Sequence, residues 1–473
     1  MLTVTIEILL ALAGLFSAGH ALLHKRDPRS AWGWVAVCLM FPGAGAALYW
    51  LMGVNRIETR AKGWKAAGKF ASAVDGSRLH PSPQANSPPF ENASISALLK
   101  IADTVTGLPL LGGNRVSILH NGEAAYPAMW EAIGKARERI YLSTYIFRTD
   151  TTGRRFIDAL TAAAERGVEV LAVIDGVGEL YTFPWVSRQF RNTKVRAVRF
   201  LPLPSSGFHL NLRNHRKLLV VDGAVGFFGG MNIGDHHLAE DTHNARRVID
   251  LQFGLEGPTV SQLEDAFLSD WYFATGETRP AKASRASRAA GQAFCRGISA
   301  GPNEDFEKLY WIVLGALGAA RAHVRIMTPY FIPDRALLAA LSMAALRGVR
   351  VDIVLPERNN LPYVAWAMRA FLWEVLHNGA RVYYQPPPFV HSKLLTVDDL
   401  YTLVGSANLD PRSLRLNFEF NLEIYDHEVS AALTQHFDAA RGRSREVTLA
   451  EIDGRPLPER LRDAAAKLFS PYL

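Results

Sequence analysis

The chain has 473 residues, of which 49% are hydrophobic and 21% charged, and its net charge is +7 at pH 7. This composition is that of a globular protein with two or three domains. The positive charge fits an anionic partner, nucleic acid or phospholipid, without choosing between them. With only two cysteines, Cys38 in an apolar run and Cys295 in a polar stretch, the sequence argues against a disulfide framework and a cysteine metal site.

The N-terminal part of the chain contains two apolar runs, residues 3–23 and residues 31–54. In a helix, 21 residues reach about 31 Å, which matches the hydrocarbon core of a bilayer. A signal peptide would carry basic residues before its apolar region, and MLTVTIE has none. We therefore predict two transmembrane helices within residues 1–55, the second kinked at Pro42 and Gly43.

Two polar stretches divide the remainder of the chain. Residues 56–95 and residues 277–303 are rich in proline or small polar residues, and we predict that both are linkers. They leave residues 96–276 and residues 304–473, each long enough for one domain.

These two long stretches resemble each other in sequence. Residues 132–147 (AIGKARERIYLSTYIF) parallel residues 316–331 (ALGAARAHVRIMTPYF), and an Arg-Gly-Val turn follows in both. Each copy shows a strand, an amphipathic helix and a buried strand. Any two such units look somewhat alike, but the shared order of residues favours duplication. We predict an α/β fold of two tandem domains, each a mixed, largely parallel sheet flanked by helices, packed face to face.

A second pattern also occurs twice, first as HRKLLVVDGAVGFFGGMNIGD (215–235) and again as HSKLLTVDDLYTLVGSANLD (391–410). Residues two apart on a strand point to the same side, so each histidine shares a face with the lysine that follows it. An asparagine comes after small residues that leave room for a phosphate. These side chains are His215, Lys217 and Asn232 in the first copy, and His391, Lys393 and Asn408 in the second.

Two histidines and two lysines in one site suit phosphoryl transfer on a diester, without metal or cofactor. The lysines and asparagines would stabilise charge on the phosphate oxygens. One neutral histidine would attack to form a phosphohistidine, and the other, protonated, would release the alkoxide. The residues alone leave open which histidine attacks.

Each histidine needs a carboxylate that fixes its tautomer. Glu419 follows His391 in the chain, and Asp250 follows His215 at a similar offset, both in strand-like sequence. We predict that Asp250 and Glu419 orient the histidines.

Two other groups of acidic residues receive structural interpretations. Asp222 and Asp398 end their strands, and we expect them to support a loop rather than to donate protons. Residues 235–244 (DHHLAEDTHN) lack regular ligand spacing, so we expect a solvated loop and no metal site.

The full pattern, HxKxxxxDxxxxxxG[SG]xN in two copies, resembles the paired HKD motifs of the phospholipase D superfamily. The second copy matches at His391, Lys393, Asp398, Gly405, Ser406 and Asn408. The first copy has Gly230 where serine is usual, which removes one phosphate-facing hydroxyl, and ARRVID (245–250) stands where the family has Trp-Arg-Asp. The apolar segments and RNHRK (213–217) narrow the similarity to bacterial cardiolipin synthases of the phospholipase D type.

This resemblance implies a phosphatidyltransferase that converts two phosphatidylglycerol molecules into cardiolipin and glycerol. His215 would be the nucleophile and His391 the general acid and base. The implied catalytic residues are His215, Lys217, Asp222, His391, Lys393 and Asp398. The implied phosphate-binding residues are Asn232, Ser406 and Asn408.

The resemblance also implies a partner and a location. The partner is a lipid bilayer rather than nucleic acid, and the location is the inner membrane, which the chain crosses more than once. The alternatives are a hydrolase or transferase that uses another phospholipid or alcohol, a nuclease of the same superfamily, and an inactive membrane scaffold.

Overall fold

The computed structural model describes residues 2–25, 27–53, 90, 92–203, 212–279, 288–302 and 307–470. These residues fall into two compact units, one within residues 1–68 and the other within residues 69–473. The predicted linker over residues 56–95 lies mostly outside the described residues.

The N-terminal unit consists of short helices packed on one long helix. Its helices are α1 (Leu2–His24), α2 (Pro28–Met40), α3 (Ala44–Leu48) and a final π-helical turn (Tyr49–Gly53). The indole Nε1 of Trp50 donates a hydrogen bond to Ser17 Oγ at 3.0 Å, which ties the last turn to α1. Among the described residues only α1, over Thr3–His24, is long and apolar enough to cross a membrane.

The second apolar run is broken rather than kinked. Pro42 has no backbone N–H and clashes with the preceding turn, and Gly43 has a φ of 86°, outside the helical region. The longest helix in this run, α2, therefore has 13 residues. A second continuous span over residues 31–54 is not confirmed.

The described strands of the large unit form one 15-stranded sheet and a separate two-stranded one. The strands of its first half are β1 (Leu111–His120), β2 (Arg139–Thr144), β3 (Glu169–Asp175), β4 (Arg196–Phe200), β5 (Leu218–Val221), β6 (Val225–Gly229), β7 (Val248–Ile249) and β8 (Leu251–Glu256). Those of its second half are β9 (Ala293–Ala300), β10 (His323–Met327), β11 (Arg350–Pro356), β12 (Arg381–Gln385), β13 (Phe389–Val390), β14 (Leu394–Val397), β15 (Tyr401–Gly405), β16 (Glu419–Tyr425) and β17 (Arg445–Val447).

Helices accompany both halves of this sheet. The first half has α4 (Ala93–Thr106), α5 (Asn121–Lys135), α6 (Thr151–Glu165), α7 (Val186–Gln189) and α8 (Val260–Thr275). The second half has α9 (Lys308–Ala319), α10 (Arg335–Leu346), α11 (Pro362–His377), α12 (Pro411–Arg415), α13 (His427–Gly442), α14 (Leu449–Asp453) and α15 (Leu457–Lys467). The apolar stripe predicted on α6 is buried, with Phe156 and Leu160 inaccessible to solvent.

The strand order repeats within the large sheet, as the duplicated sequence predicts. The order is β17-β12-β11-β10-β14-β15-β16-β9-β1-β8-β6-β5-β2-β3-β4. Among the described strands of this sheet, parallel pairing is confined to β2-β3-β4 and to β10-β11-β12, and the other neighbours are antiparallel. The α/β fold is confirmed, but the sheet is mixed rather than largely parallel.

The two halves join edge to edge in one sheet, and residues of both, Phe228 and Phe420 among them, also share one hydrophobic core. Face-to-face packing of the halves stays a prediction. Strand β9 lies between β16 of its own half and β1 of the first half, and it is antiparallel to both. This strand falls inside the stretch predicted as a linker, residues 277–303, so that prediction is wrong for residues 293–300. The polar composition of residues 277–303 predicted a linker, but Arg296 on this strand has its guanidinium buried 3.1 Å from Glu423, and a paired charge can occupy a core strand.

Candidate active site

Each motif histidine is held against the backbone of the opposite half. The N–H of His215 donates to the carbonyl of Phe418 at 2.8 Å, and the N–H of His391 donates to the carbonyl of Ile249 at 2.8 Å. The second contact continues the parallel pairing of β13 with β7. Both histidines therefore lie beside the residue that precedes the other half's carboxylate.

The carboxylates pair with the histidines across the two halves. His215 Nδ1 lies 3.0 Å from Glu419, and His391 Nδ1 lies 2.8 Å from Asp250 Oδ2. The sequence offsets had suggested that each carboxylate pairs with the histidine of its own half. That pairing is wrong, because the crossing strands bring each carboxylate to the opposite histidine. An ionised carboxylate only accepts hydrogen bonds, so each Nδ1 carries the proton and each Nε2 is left bare.

The motif lysines are buried next to the histidines. Lys217 Nζ donates to the carbonyl of His215 at 2.5 Å, and Lys393 Nζ donates to the carbonyl of His391. Lys393 Nζ also lies 2.9 Å from His391 Nδ1, but the Nδ1–H donates to Asp250, because a carboxylate accepts hydrogen bonds and an ammonium group does not. Burial lowers the pKa of Lys217 to about 7 and that of Lys393 to about 8.

The same burial keeps the imidazoles neutral. It lowers the pKa of His215 to about 4 and that of His391 to about 3, and the neighbouring lysines add to the effect. Burial alone would raise the pKa of Asp250 and Glu419, but the paired histidines and the motif lysines lower both, so these carboxylates are ionised. The cavity thus presents two neutral histidines backed by two anions.

The two motif asparagines face the cavity, whereas Ser406 does not. Asn232 Oδ1 accepts the N–H of Ile146 at 3.1 Å, which leaves its amide NH₂ for a ligand. Asn408 lies on the cavity wall with its Nδ2 3.3 Å from Ser413 Oγ. These two positions suit the binding of phosphate oxygens.

The predicted phosphate contact of Ser406 is wrong. Its hydroxyl donates to Glu419 Oε2 at 2.5 Å, because a buried carboxylate needs donors. In the first half, a Cβ on Gly230 would meet Asp250 Oδ1 at 2.6 Å. The first half therefore lacks a hydroxyl that would donate to its carboxylate, and it does not lack a group that contacts the phosphate.

The motif aspartates bind backbone and do not line the cavity. Each accepts three backbone N–H groups at the start of a strand, and each has a φ of 52°. The donors are Arg137, Glu138 and Arg139 for Asp222, and Arg321, Ala322 and His323 for Asp398. The family resemblance placed both aspartates among the catalytic residues, and the structure gives them a supporting role instead. The sequence itself had predicted this role for Asp222 and Asp398.

Replacing Asp222 with alanine should lower the free energy of unfolding by about 2 to 3 kcal/mol, because buried N–H groups lose their acceptor. The more exposed Asp398→Ala should lose about 1 kcal/mol, since water can replace the carboxylate there. Urea unfolding in detergent measures both. The neighbouring Asp399 is exposed, so Asp399→Ala is the control. A loss as large in Asp399→Ala as in Asp222→Ala would contradict the supporting role.

Both histidines open onto one cavity of about 890 Å³. Sequence reasoning missed several of its wall residues. Tyr145 and Tyr330 are offset by one position in the aligned repeats, with Tyr145 opposite Pro329, and their rings lie 5.2 Å from His215 and 6.4 Å from His391. The presence of a tyrosine within two residues before the shared Phe147 and Phe331 was a signal that could have identified both.

Part of the predicted solvated loop over residues 235–244 also belongs to this wall. His236 and His237 line the cavity, and His237 Nε2 accepts the N–H of Asn232 at 3.1 Å. The solvated-loop prediction is wrong for these two residues, because both side chains line the cavity and His237 binds the backbone of the motif asparagine. Within the described ranges no group of His, Cys, Asp and Glu side chains has the arrangement of a metal site.

Comparison with known proteins agrees with this geometry. Residues 129–271 and 313–441 match a family model described as the cardiolipin synthase, PLD-like domain. The chain belongs to this family of cardiolipin synthases. Residues 9–53 match a second model, described as the phospholipase D-nuclease N-terminal region.

Two full-length relatives and one solved structure are similar to this chain. The cardiolipin synthase of Oceanobacillus iheyensis is 31% identical over 489 residues, covering 100% of this chain and 98% of that protein. Cardiolipin synthase A of Pseudomonas putida is 32% identical over 480 residues, covering 98% and 97%. The crystal structure of Haemophilus influenzae phosphatidylserine synthase has a TM-score of 0.63 and 16% identity, covering 80% of this chain and 100% of that one, which supports the fold alone.

Proposed function

We propose that the protein is a phosphatidyltransferase that joins two phosphatidylglycerol molecules into cardiolipin and releases glycerol. The observation that carries this proposal is the pair of neutral histidines, each backed by the other half's carboxylate, at one cavity. A phosphodiester in that cavity would meet the amides of Asn232 and Asn408 on the wall, and the ammonium groups of Lys217 and Lys393, buried next to the histidines, would stabilise its negative charge.

In the first step, His215 Nε2 attacks the phosphorus of one phosphatidylglycerol. A P–N bond forms, the P–O bond to the glycerol head group breaks, and His391 gives the departing oxygen a proton. His391 is neutral in the free cavity, and the bound phosphodiester anion supplies the negative charge that favours its protonation. The assignment of attack to His215 rests on family resemblance, since the two halves are nearly symmetric.

In the second step, a glycerol hydroxyl of another phosphatidylglycerol attacks the phosphohistidine. His391 now takes the hydroxyl proton, a new P–O bond forms and the P–N bond breaks. The products are cardiolipin and the free enzyme, so the proton that His391 gave away is recovered. Glu419 and Asp250 keep both Nε2 atoms directed at phosphorus throughout.

Raising the pH should reduce kcat/KM between about pH 7 and 8. A lysine is charged below its pKa, and burial lowers the pKa values of Lys217 and Lys393 to about 7 and about 8. The ammonium groups that stabilise the phosphate are therefore lost on the alkaline side, as initial rates at low substrate would show. Enzyme held at pH 10 and then assayed at pH 7 controls for unfolding. A flat profile up to pH 10 would contradict this assignment.

We also propose that the N-terminal unit anchors the protein in the inner membrane with two crossings. Helix α1 would form the first crossing, and the broken segment over residues 28–53 the second. The support is the apolar composition of both segments. Labelling of single cysteines placed before α1 and after residue 53 tests it, since two crossings put both sites on one side.

Mass spectrometry of lipids tests the catalytic proposal. Purified protein is incubated with phosphatidylglycerol in detergent and EDTA. Cardiolipin with equimolar glycerol is the expected result. Phosphatidic acid alone would indicate a hydrolase instead, and unchanged lipid would indicate another donor, or nucleic acid, as the substrate.

A further inference from the structure

The cavity wall is chemically different in the two halves at two matched positions. Asp410 lies two residues after the second motif asparagine, where the first half has Gly234. Asn417 lies two residues before the second histidine-orienting carboxylate, where the first half has Val248. Asp410, Asn417 and Val248 all line the cavity. The second half therefore adds polar groups at positions that are non-polar in the first.

The added groups present oxygen atoms that accept hydrogen bonds. Asn417 Nδ2 donates to Glu419 Oε1 at 3.1 Å, and this fixes the amide orientation because a carboxylate can only accept. The other end of the amide, Oδ1, has no hydrogen-bond partner among the described residues. It is also shielded from water, because the side chain is only 6% exposed. Asp410 Oδ1 accepts the N–H of Ser413 at 2.6 Å. The Asp410 side chain is 4% exposed and borders the same space.

The charge around these oxygens favours a neutral ligand. Burial and the nearby Glu419 raise the pKa of Asp410 to about 6, while the hydrogen bond from the Ser413 N–H and the nearby Arg412, also on the cavity wall, lower it. Asp410 would repel a second phosphate and Arg412 would attract it, and the reverse holds for an ammonium group, so the two opposite charges together favour neither ion. Hydroxyl groups can donate to both acceptors without either repulsion.

We propose that Asp410 and Asn417 form a subsite for the hydroxyl groups of the glycerol head group. This inference rests on the proposed function and specifies where its glycerol binds. The departing glycerol and the glycerol end of the acceptor lipid occupy the same subsite in the two steps. Asp410 and Asn417 then distinguish a polyol from alcohols that carry a single hydroxyl.

Running the reaction backwards isolates this subsite. The full-length enzyme is given cardiolipin and free glycerol, which react to form two phosphatidylglycerol molecules. One P–O bond of cardiolipin breaks, the released phosphatidylglycerol takes the proton, and glycerol forms the new P–O bond. Propan-1-ol is the second probe, since it has the same primary hydroxyl and lacks the other two.

The test variant is Asp410→Ser, because serine can still cap the N–H of Ser413 but is too short to reach the ligand. We expect kcat/KM for glycerol to fall about tenfold and that for propan-1-ol to stay within about twofold. The matched control is Asp426→Ser, the same change at the residue that caps α13 through Val429, outside the cavity wall. It should change neither rate.

Two results would overturn the subsite. One is an unchanged glycerol preference in Asp410→Ser, and the other is an equal loss with both alcohols, which would mean general damage. If wild-type enzyme interconverts neither lipid in either direction, the proposed function itself fails, and the subsite fails with it.

Discussion

His391→Ala is expected to stop cardiolipin formation and to leave a phosphatidyl group on His215. A glycerol alkoxide is a poor leaving group without a proton, so the first step should slow by on the order of a thousandfold or more. A phosphatidyl ester of p-nitrophenol needs no proton for departure, so the variant should still form the adduct with it. The second step then lacks its base, and intact-protein mass spectrometry should find the adduct accumulating.

The reciprocal variant is the control for this experiment. His215→Ala keeps His391 and its carboxylate but has no nucleophile, so it should form no adduct with either donor. An adduct on His391 in His215→Ala would reverse the two roles. Residual cardiolipin synthesis in His391→Ala near the wild-type rate would mean that another group supplies the proton.

Neutralising the carboxylates should affect the histidines of the opposite halves. Glu419→Gln removes the anion behind His215, and Asp250→Asn removes the one behind His391. Each should reduce turnover on the order of a thousandfold, because the wrong tautomer is no longer disfavoured. With the p-nitrophenol donor the two variants should separate. Asp250→Asn should form the His215 adduct normally, whereas Glu419→Gln should not.

This contrast decides between pairing across the halves and pairing within them. If each carboxylate served the histidine of its own half, Asp250→Asn would be the variant that loses the adduct. Substitutions of Gln252 and Asn421 control for strand disruption. These two residues lie two positions after Asp250 and Glu419, and they pair with Gly229 and Gly405 in the sheet. Both controls should retain adduct formation.

Much of this site could be predicted from the sequence because it is encoded by local spacing. The spacing of histidine and lysine predicted that the two side chains lie together, and a repeat places two such pairs in one chain. The structure places each pair immediately before its strand, β5 or β14, rather than within it, and each lysine still contacts the histidine of its own motif. The same reasoning identified Asp250 and Glu419 as strand carboxylates within reach of the cavity. It also separated Asp398 from the proton-transfer residues.

The remainder depends on contacts between distant residues. The exchange of carboxylates follows from pairing of β13 with β7, strands that belong to different halves of the chain, and no local pattern encodes such a pairing. Strand β9 was interpreted as a linker because the composition of residues 277–303 is polar, and the buried partner of Arg296 is present only in the folded sheet. Ser406 was assigned to phosphate because its place in the motif does not show which neighbour its hydroxyl meets.

The exchange of carboxylates has an evolutionary consequence. A half chain on its own holds a histidine without the anion that orients it, so an ancestor with a single motif had to work as a homodimer. In a homodimer every substitution appears on both walls of the cavity. Once two copies were fused, Asp410 and Asn417 could arise opposite Gly234 and Val248. Fusion thus allowed a symmetric phosphate site to acquire one wall for a particular alcohol.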